Sequence, residues 1–257
     1  MTATNYQQMG SLMPIRSGCP NATKAFDIVN RYLGWGDRKR GIWFIGCEEA
    51  DAVGQSYAEI RQAYKKLGEW KPTLPEKHWR RQKGGRTVRE YTCKIVVPLS
   101  ELVRKRGYDW RTDWRKYSEL HLWRVNRQVC QANLLPLGRP NMNDSPEFLE
   151  KLAKFGFEDY EAYIECVRRT RFPRLREMRN YSTPQAVVCF GMENWDLFRE
   201  LWLLESQPTP LAEGDIEDYE DERVILTPFF RGGNHMMSNG RSKLVSDKLL
   251  SWGVSIY

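Results

Sequence analysis

Acidic and amide side chains come directly after two apolar runs of the chain. The run 42–45 leads into Gly46-Cys47-Glu48-Glu49, and the run 129–132 leads into Asn133. A carboxylate can orient and deprotonate a water molecule, or stabilise a developing cation on a sugar. An amide offers both a donor and an acceptor to the edge of a nucleobase. Structural roles are also open, since acids stabilise a helix start and Asn commonly forms turns at strand ends.

A glycine-rich loop precedes the last apolar segment of the chain. It contains Gly232, Gly233 and His235, and its glycines let a ligand approach the backbone closely. A helix start with Ser and Lys can bind phosphate, and His235 can donate to an anion, although a single loop histidine is often only exposed. The candidates for contact with a polyanion are Arg139, Phe230, Arg231, Asn234, Met236, Ser238, Arg241, Ser242 and Lys243.

Four short apolar runs predict the strands that would position these groups. They cover residues 42–45, 129–132, 186–190 and 224–226, and each ends in a polar or turn-forming tip. Continuous apolar runs are typical of parallel strands buried on both faces, and open α/β sheets bind ligands beyond the carboxyl ends of their strands. We therefore predict an α/β protein, a three-layer α/β/α sandwich with a mainly parallel four-stranded central sheet.

The segments between these runs predict helices and one insertion. Apolar residues spaced three and four apart indicate a set of helices. They lie at 23–34, 56–67, 146–155, 158–169 and 242–252, with Ser242 as the cap of the last. The basic, aromatic stretch of about 70–125 is interpreted as an insertion with a strand at 91–97, and the acidic segment 205–222 as a surface loop. The whole chain, 1–257, is expected to form a single domain.

Length and composition narrow the possible partners. The chain has 257 residues, and its 40 Lys and Arg against 33 Asp and Glu give a net charge of +7. Excess positive charge suits a polyanion, and the ten Trp side chains offer faces on which unpaired bases can stack. We therefore expect a nucleic acid as partner. No G-x-G-x-x-G or Walker run indicates a dinucleotide-binding or ATP-binding protein.

The cysteines and the polar N-terminus bear on the compartment. None of the six cysteines forms a C-x-x-C pair, so no zinc ribbon or cluster-binding run is present. Cys130 and Cys189 fall inside predicted strands, where a free thiol packs as a small apolar side chain. No run of about eighteen apolar residues and no secretory signal is visible. These patterns favour a soluble, cytoplasmic protein that does not bind membranes.

Four segments together resemble the uracil-DNA glycosylase superfamily. The segment 45–49 is similar to its first motif, which is G-Q-D-P-Y in one branch and G-E-A-P-G in another. The segment 132–140 resembles T-N-V-V-K-C-R-P-P, in which the Asn reads the base, and 227–230 stands where the superfamily has H-P-S-P. The third strand corresponds to 186–191. The resemblance covers most of the chain apart from the N-terminal arm and the insertion.

The resemblance implies a monomeric DNA glycosylase that uses neither a metal nor a cofactor. Glu48, or its neighbour Glu49, would position water and stabilise the cationic sugar, while Asn133 would bond the base edge. His235 would support the negative charge on the departing base. The loop 228–237 would supply a wedge, Phe230 or Met236. Candidates for base binding are Asn133, Cys47, Tyr57 and Phe229, with Trp43 as a further aromatic that could stack on the base.

The chain also departs from the superfamily pattern. Glu48 replaces the Asp of the first branch, Thr227 stands where His is expected, and the cysteines of the cluster-bearing branch are absent. The substrate is therefore expected to be uracil or another damaged or modified pyrimidine, such as a modified phage base, in duplex or single-stranded DNA. A role in defence against phage is one interpretation. The alternatives are a non-catalytic DNA-binding module and an enzyme acting on free nucleosides or nucleotides.

Overall fold

A computed structural model describes most of the chain. The described residues are Cys19, 21–48, 62, 68–72, 85–104, 109, 113–124, 126–138, 146–230 and 236–257. The predicted helix at 56–67 lies outside them except for residue 62. No helix among these described residues is long and apolar enough to cross a membrane.

The strands form one mixed sheet whose centre matches the four predicted apolar runs. These central strands are β2 (Ile42–Glu48), β4 (Val129–Leu135), β5 (Ala186–Phe190) and β8 (Val224–Thr227). They lie side by side in the order β4-β2-β5-β8, and every neighbouring pair among them is parallel. The α/β class and the four buried strands are confirmed.

The sheet is larger than the predicted four strands. Its further strands are β1 (Gly34–Gly36), β3 (Trp70–Lys71), β6 (Thr209–Leu211) and β7 (Ile216–Tyr219), and the full order is β3-β1-β4-β2-β5-β8-β7-β6. Antiparallel pairing joins β1 to β4, β7 to β8 and β6 to β7. The prediction of a four-stranded, mainly parallel sheet is therefore wrong in extent, and the acidic segment 205–222 holds two strands rather than only a loop.

Helices cover both faces of this sheet. They are α1 (Lys24–Arg31), α2 (Gly85–Val96), α3 (Glu101–Arg104), α4 (Trp114–Leu120), α5 (Pro146–Lys154), α6 (Tyr160–Thr170), α7 (Phe172–Ser182), α8 (Trp195–Trp202) and α9 (Asn239–Ser251). One apolar cluster joins Trp43 and Ile45 of β2 to α1 and α5–α8. A second cluster joins Ile42 and Phe44, on the other side of the same strand, to α2, α4 and α9. We call these two sides the first face and the second face.

The basic insertion contributes to the core of the second face. Its predicted strand at 91–97 is wrong, because residues 85–96 form the helix α2. The β-branched side chains of this segment suggested a strand, but Ile95 and Val96 are buried in the second cluster together with Cys93. Packing on the sheet therefore overrides the local preference for a strand.

The tryptophans of the described residues serve mainly the core. Seven are buried and Trp70 is half-buried. The buried ones are Trp35, Trp43, Trp114, Trp123, Trp195, Trp202 and Trp252. Packing in the core therefore explains the number of tryptophans among the described residues. Their number alone does not indicate that they stack on bases.

A disulfide bond joins the segment before α1 to α6. Cys19 and Cys166 are bonded, although they are 147 residues apart in the sequence. A cross-link over so long a loop stabilises the fold chiefly by restricting the unfolded chain. Nothing in the sequence spacing predicted this pairing. The other described cysteines are buried and form no disulfide bond: Cys47, Cys93, Cys130 and Cys189.

Glu222 fastens the turn after α8 and gives a pH-dependent prediction. Its carboxylate accepts hydrogen bonds from the Ser206 hydroxyl at 2.6 Å, from the Ser206 backbone N–H at 3.2 Å and from the Glu205 backbone N–H at 3.3 Å. Burial alone would raise the pKa of this carboxyl, but the hydrogen bonds lower the pKa below its usual value.

Replacing Glu222 with Gln should therefore destabilise the protein only while the carboxylate is charged. A lowered pKa in the folded state stabilises it fully above the unfolded pKa of about 4.3, and this gain disappears as the pH falls through the folded pKa. We expect a loss of about 1 kcal/mol near neutral pH, measured by denaturant unfolding, which shrinks steadily on acidification. If the free energies of unfolding of Glu222→Gln and the wild type differed by the same amount at every pH, this role of the Glu222 carboxylate would be contradicted. Asp221→Asn, at an exposed site in the same turn, keeps the Ser206 contacts intact and serves as the control.

Candidate functional site

Gly46 and Asn133 lie opposite each other where the central strands end. The register pairs Gly46 of β2 with Asn133 of β4, and strand alternation places both on the second face. A Cβ on Gly46 would lie 2.8 Å from Cζ of Phe190 and 3.2 Å from Oδ1 of Asn133. The missing side chain of Gly46 therefore lets the Phe190 ring and the Asn133 amide approach the same point of the sheet.

The Asn133 side chain is buried but uncommitted. Asn133 is 7% exposed, and its backbone N–H donates to the Leu33 carbonyl at 3.3 Å. Its side-chain amide makes no hydrogen bond with any residue that the structure describes. Neither amide atom is fully shielded from solvent, so a ligand that both accepts and donates hydrogen bonds can reach the side chain.

Arg171 holds the backbone at Asn133 in place. Its guanidinium donates to the Asn133 carbonyl through Nε at 3.1 Å and Nη2 at 2.8 Å. Nη1 donates to the carbonyls of Asn30 at 2.9 Å and Tyr32 at 2.8 Å. Arg171 is 1% exposed, so these bonds form away from water. The sequence indicated only an arginine-rich stretch and did not single out this residue.

The structure describes only the backbone of Glu48 among the acidic residues of the predicted site. The Cα of Glu48 pairs with Leu135, two residues beyond the Gly46–Asn133 pair on the same strand. The side chain of Glu48 is not among the described groups. Further predicted residues lie outside the described part of the chain: Glu49, Tyr57, Arg139, Arg231, Asn234 and His235. The convergence of a carboxylate with Asn133 therefore stays a prediction.

Among the residues that the structure describes, Phe190 is the aromatic side chain nearest to Gly46, and sequence analysis missed it. It ends β5, and its ring stacks on Phe230 with centroids 4.4 Å apart and an interplanar angle of 13°. Phe229 lies half-buried at 6.1 Å from Phe190. The position of Phe190 at the tip of an apolar run was the available signal, because the same reasoning selected Gly46 and Asn133.

Three predicted aromatic or base-binding residues face away or are enclosed. Trp43 is fully buried in the first cluster, and its indole N–H donates to the Arg38 carbonyl at 2.9 Å. Cys47 also packs in the first cluster, and its thiol donates to the Phe190 carbonyl at 3.3 Å. Phe230 is fully buried. Trp43 and Cys47 thus lie on the other face from Asn133, and Phe230 is part of the core rather than a free wedge.

Thr227 occupies the position where the superfamily pattern has a histidine. It is fully buried, and its hydroxyl lies 3.1 Å from the carbonyl oxygens of both Cys189 and Pro228. This hydroxyl therefore serves the end of β8. Thr227 supplies no group for a reaction in this arrangement.

The start of α9 uses most of its predicted DNA-contact residues internally. Ser238, not Ser242, caps the helix, and its hydroxyl accepts from the Arg241 backbone N–H at 3.2 Å. Ser242 is fully buried and donates to the Ser238 carbonyl at 2.8 Å, and its contact with DNA stays a prediction. Arg241 is paired with Asp215. Lys243 is exposed near Asp247, and Met236 is half-buried.

The thiols near the sheet are poor nucleophiles. Burial raises the pKa of Cys189 to about 12 and raises the pKa of Cys130 well above its usual value. Both therefore remain protonated near neutral pH and behave as apolar core side chains, as the sequence predicted. Among the residues described here, no group of three or more His, Cys, Asp and Glu side chains is arranged to hold a metal ion.

Comparison with known proteins adds no assignment. Neither a scan against models of protein families nor a search of curated proteins finds a match to this chain. The function is therefore inferred from the chain's own residues and geometry.

Proposed function

We propose that this protein is a DNA glycosylase that extrudes a pyrimidine nucleotide and hydrolyses its N-glycosidic bond. The proposal depends most on the uncommitted, nearly buried amide of Asn133 at the end of the central strands. Such an amide can pair with the edge of a pyrimidine, which presents both donors and acceptors. Extrusion is required because the target bond is inaccessible in a stacked duplex, and it costs a few kcal/mol.

The neighbouring residues suggest how the base would be held. Gly46 lets the Phe190 ring and the Asn133 amide come close together, since a Cβ at this position would lie 2.8 Å from the ring. Phe229 is only half-buried and is the remaining described candidate from the predicted base-binding group. An aromatic side chain at this point can stack on an extruded base, which stabilises it by about 1–3 kcal/mol.

The catalytic roles follow from chemistry and from the resemblance. Glu48 would orient the attacking water and stabilise the positive charge that develops on the sugar. Glu49 is the alternative carboxylate. His235 would donate to the departing base, since Thr227 is committed to backbone carbonyls. The reaction we propose needs no cofactor.

A non-catalytic DNA-binding module is the second candidate. It is favoured by the enclosed hydroxyl of Thr227, because the position of the expected histidine carries no free functional group. The two candidates differ in one observable property. A module would bind modified DNA and leave every base attached.

Release of free base tests the proposal directly. Oligonucleotides with uracil, 5-methyl, 5-hydroxymethyl and glycosylated pyrimidines would be incubated with the protein, and free bases detected by mass spectrometry. We expect release of at least one of them by the wild type and a loss of about tenfold or more in Asn133→Leu, because the base edge loses its partners. Binding without release from every duplex and single strand would support the module instead.

The binding of DNA should also weaken with salt. With a net charge of +7 and about three phosphate contacts, the affinity should fall about 40-fold when the salt concentration is raised fourfold. Fluorescence anisotropy with a labelled oligonucleotide measures this slope. An affinity that does not change with salt would argue against DNA as the partner. Lys243→Gln removes one exposed cation and should lower the slope, whereas Lys154→Gln on α5, away from the proposed site, should not.

A further inference from the structure

On the second face of the sheet, three neighbouring residues carry buried polar atoms without partners in the described part of the chain. The atoms are Nε1 of Trp35, Nε1 of Trp123 and Oε1 of Gln131, and none has a hydrogen-bond partner among the residues that the structure describes. All three residues are at most 7% exposed. Buried polar groups are almost always bonded, so such a group of orphaned atoms calls for a physical explanation.

The three side chains form one cluster. The register pairs Trp35 of β1 with Gln131 of β4, which places their side chains next to each other on one face. The rings of Trp35 and Trp123 meet edge to face with centroids 5.9 Å apart, and Tyr32 stacks on Trp35 at 6.3 Å. We call Trp35, Trp123 and Gln131 the indole cluster.

The indole cluster is continuous with the proposed base site. Gln131 precedes Asn133 by two residues on β4, so strand alternation brings both side chains to the second face, about 7 Å apart along the strand. The backbone at Trp123 is left-handed, with φ of 54°, which is costly for a bulky side chain. The chain thus accepts strain where it brings this indole against Trp35.

We infer that the indole cluster is a subsite for a hydroxyl-bearing substituent on the pyrimidine ring. It offers two N–H donors and one carbonyl acceptor next to aromatic faces, and a hydroxyl group can accept from an indole and donate to the Gln131 amide. Aromatic faces also pack well against the C–H groups of a sugar ring. The inference rests on the proposed glycosylase function and specifies its substrate: a pyrimidine with a hydroxymethyl or glycosyl group.

The predicted selectivity follows from the cost of unpaired buried groups. A site built to bond a hydroxyl group discriminates strongly against an analogue that lacks it, because its own polar atoms then stay unpaired. The hydroxyl-bearing bases should therefore be released faster than a 5-methyl pyrimidine. Uracil, which has no substituent, should not depend on the indole cluster.

Two variants test the subsite: Trp123→Phe removes one donor and keeps an aromatic ring, and Gln131→Leu removes the acceptor. We expect kcat/KM for the hydroxymethyl or glycosylated base to fall about tenfold in each. Release of uracil should stay within about twofold of the wild-type rate. If the indole cluster were purely structural, the variants would lower the release of uracil as well. Unfolding by denaturant verifies folding, and Gln131→Leu should be as stable as the wild type, since it removes an unpaired buried atom.

The outcomes separate this inference from the proposed function. Equal losses for uracil and for hydroxyl-bearing bases would assign the cluster to structure and overturn the subsite alone. Unchanged kinetics in both variants would do the same and would leave ordered water as the partner of the orphaned atoms. If the wild type releases no pyrimidine at all, the glycosylase proposal fails, and the subsite fails with it. The hydroxymethyl and glycosylated substrates, compared with each other, show which substituent the cluster fits.

Discussion

Replacing Glu48 with Gln should reduce the rate of base release by about 10²- to 10⁴-fold while DNA binding persists. Gln has nearly the same shape, but it can neither accept a proton from water nor carry the negative charge that stabilises a cationic sugar. Single-turnover release of free base measures the chemical step, and fluorescence anisotropy measures binding. The position of Glu48, two residues beyond Gly46 on β2, places it at the strand end where the amide of Asn133 lies.

Companion variants locate this effect. Glu49→Gln distinguishes the two adjacent carboxylates, and we expect the larger loss at Glu48 because it falls at the position of the superfamily's water-activating Asp. Glu147→Gln, on the exposed surface of α5, should leave the rate unchanged. A wild-type rate in both Glu48→Gln and Glu49→Gln would remove the basis of the proposed mechanism.

Replacing Arg171 with Met should lower the free energy of unfolding by about 3–5 kcal/mol. The substitution removes the Arg171 donor from the carbonyls of Asn133 and Tyr32 in a buried site, and each such loss costs about 1–3 kcal/mol. The Asn30 carbonyl loses one of its two donors and keeps the bond from Arg174. Denaturant unfolding measures the effect. We also expect weaker base release, since the strand that carries the Asn133 amide loses its anchor.

The matched control for this variant is Arg169→Met. Arg169 lies near the end of α6 and is exposed, and Glu165 is its ion-pair partner. Exposed ion pairs contribute about 0–1 kcal/mol, so this change should cost little. Similar losses at the two positions, or a loss below about 1 kcal/mol in Arg171→Met, would show that the buried hydrogen bonds matter less than their geometry indicates.

The central strands could be predicted because their sequence signal is local. Each of β2, β4, β5 and β8 is a continuous apolar run, as expected for strands covered on both faces. The outer strands β1, β3, β6 and β7 are only two to four residues long and contain Gly, Pro or charged residues. The pairing of β1 with β3 and β4 joins segments that are distant in sequence. The strands β6 and β7 pair with their neighbours in sequence, but neither is a continuous apolar run, so no local pattern indicated them.

The candidate site could be predicted only where residues follow strand ends. Gly46 and Asn133 were correctly expected at one edge of the sheet, because parallel strands bring their carboxyl ends together. The contact of Phe190 with Gly46 and the bonds of Arg171 to Asn133 link residues far apart in the chain. Such contacts depend on side-chain packing, which periodicity does not encode.

The sequence underestimated the burial of several side chains that were expected at the surface. Ser242 and Phe230 were expected to meet DNA, but both are fully enclosed. Arg241, expected at a phosphate, is paired with Asp215 near the start of α9. The sequence shows which residues are polar or basic, but it does not show which of them are exposed. Capping and ion pairing within the fold determine which side chains remain free.

The most direct test of the proposed site is a crystal structure of the Glu48→Gln variant bound to DNA. This DNA contains a pyrimidine that the wild-type protein releases. We predict an extruded base at the end of β2 and β4, with its edge within hydrogen-bonding distance of the Asn133 amide and its ring beside Phe190. DNA bound at another surface, or a base that stays stacked in the duplex with Asn133 unpaired, would contradict the account.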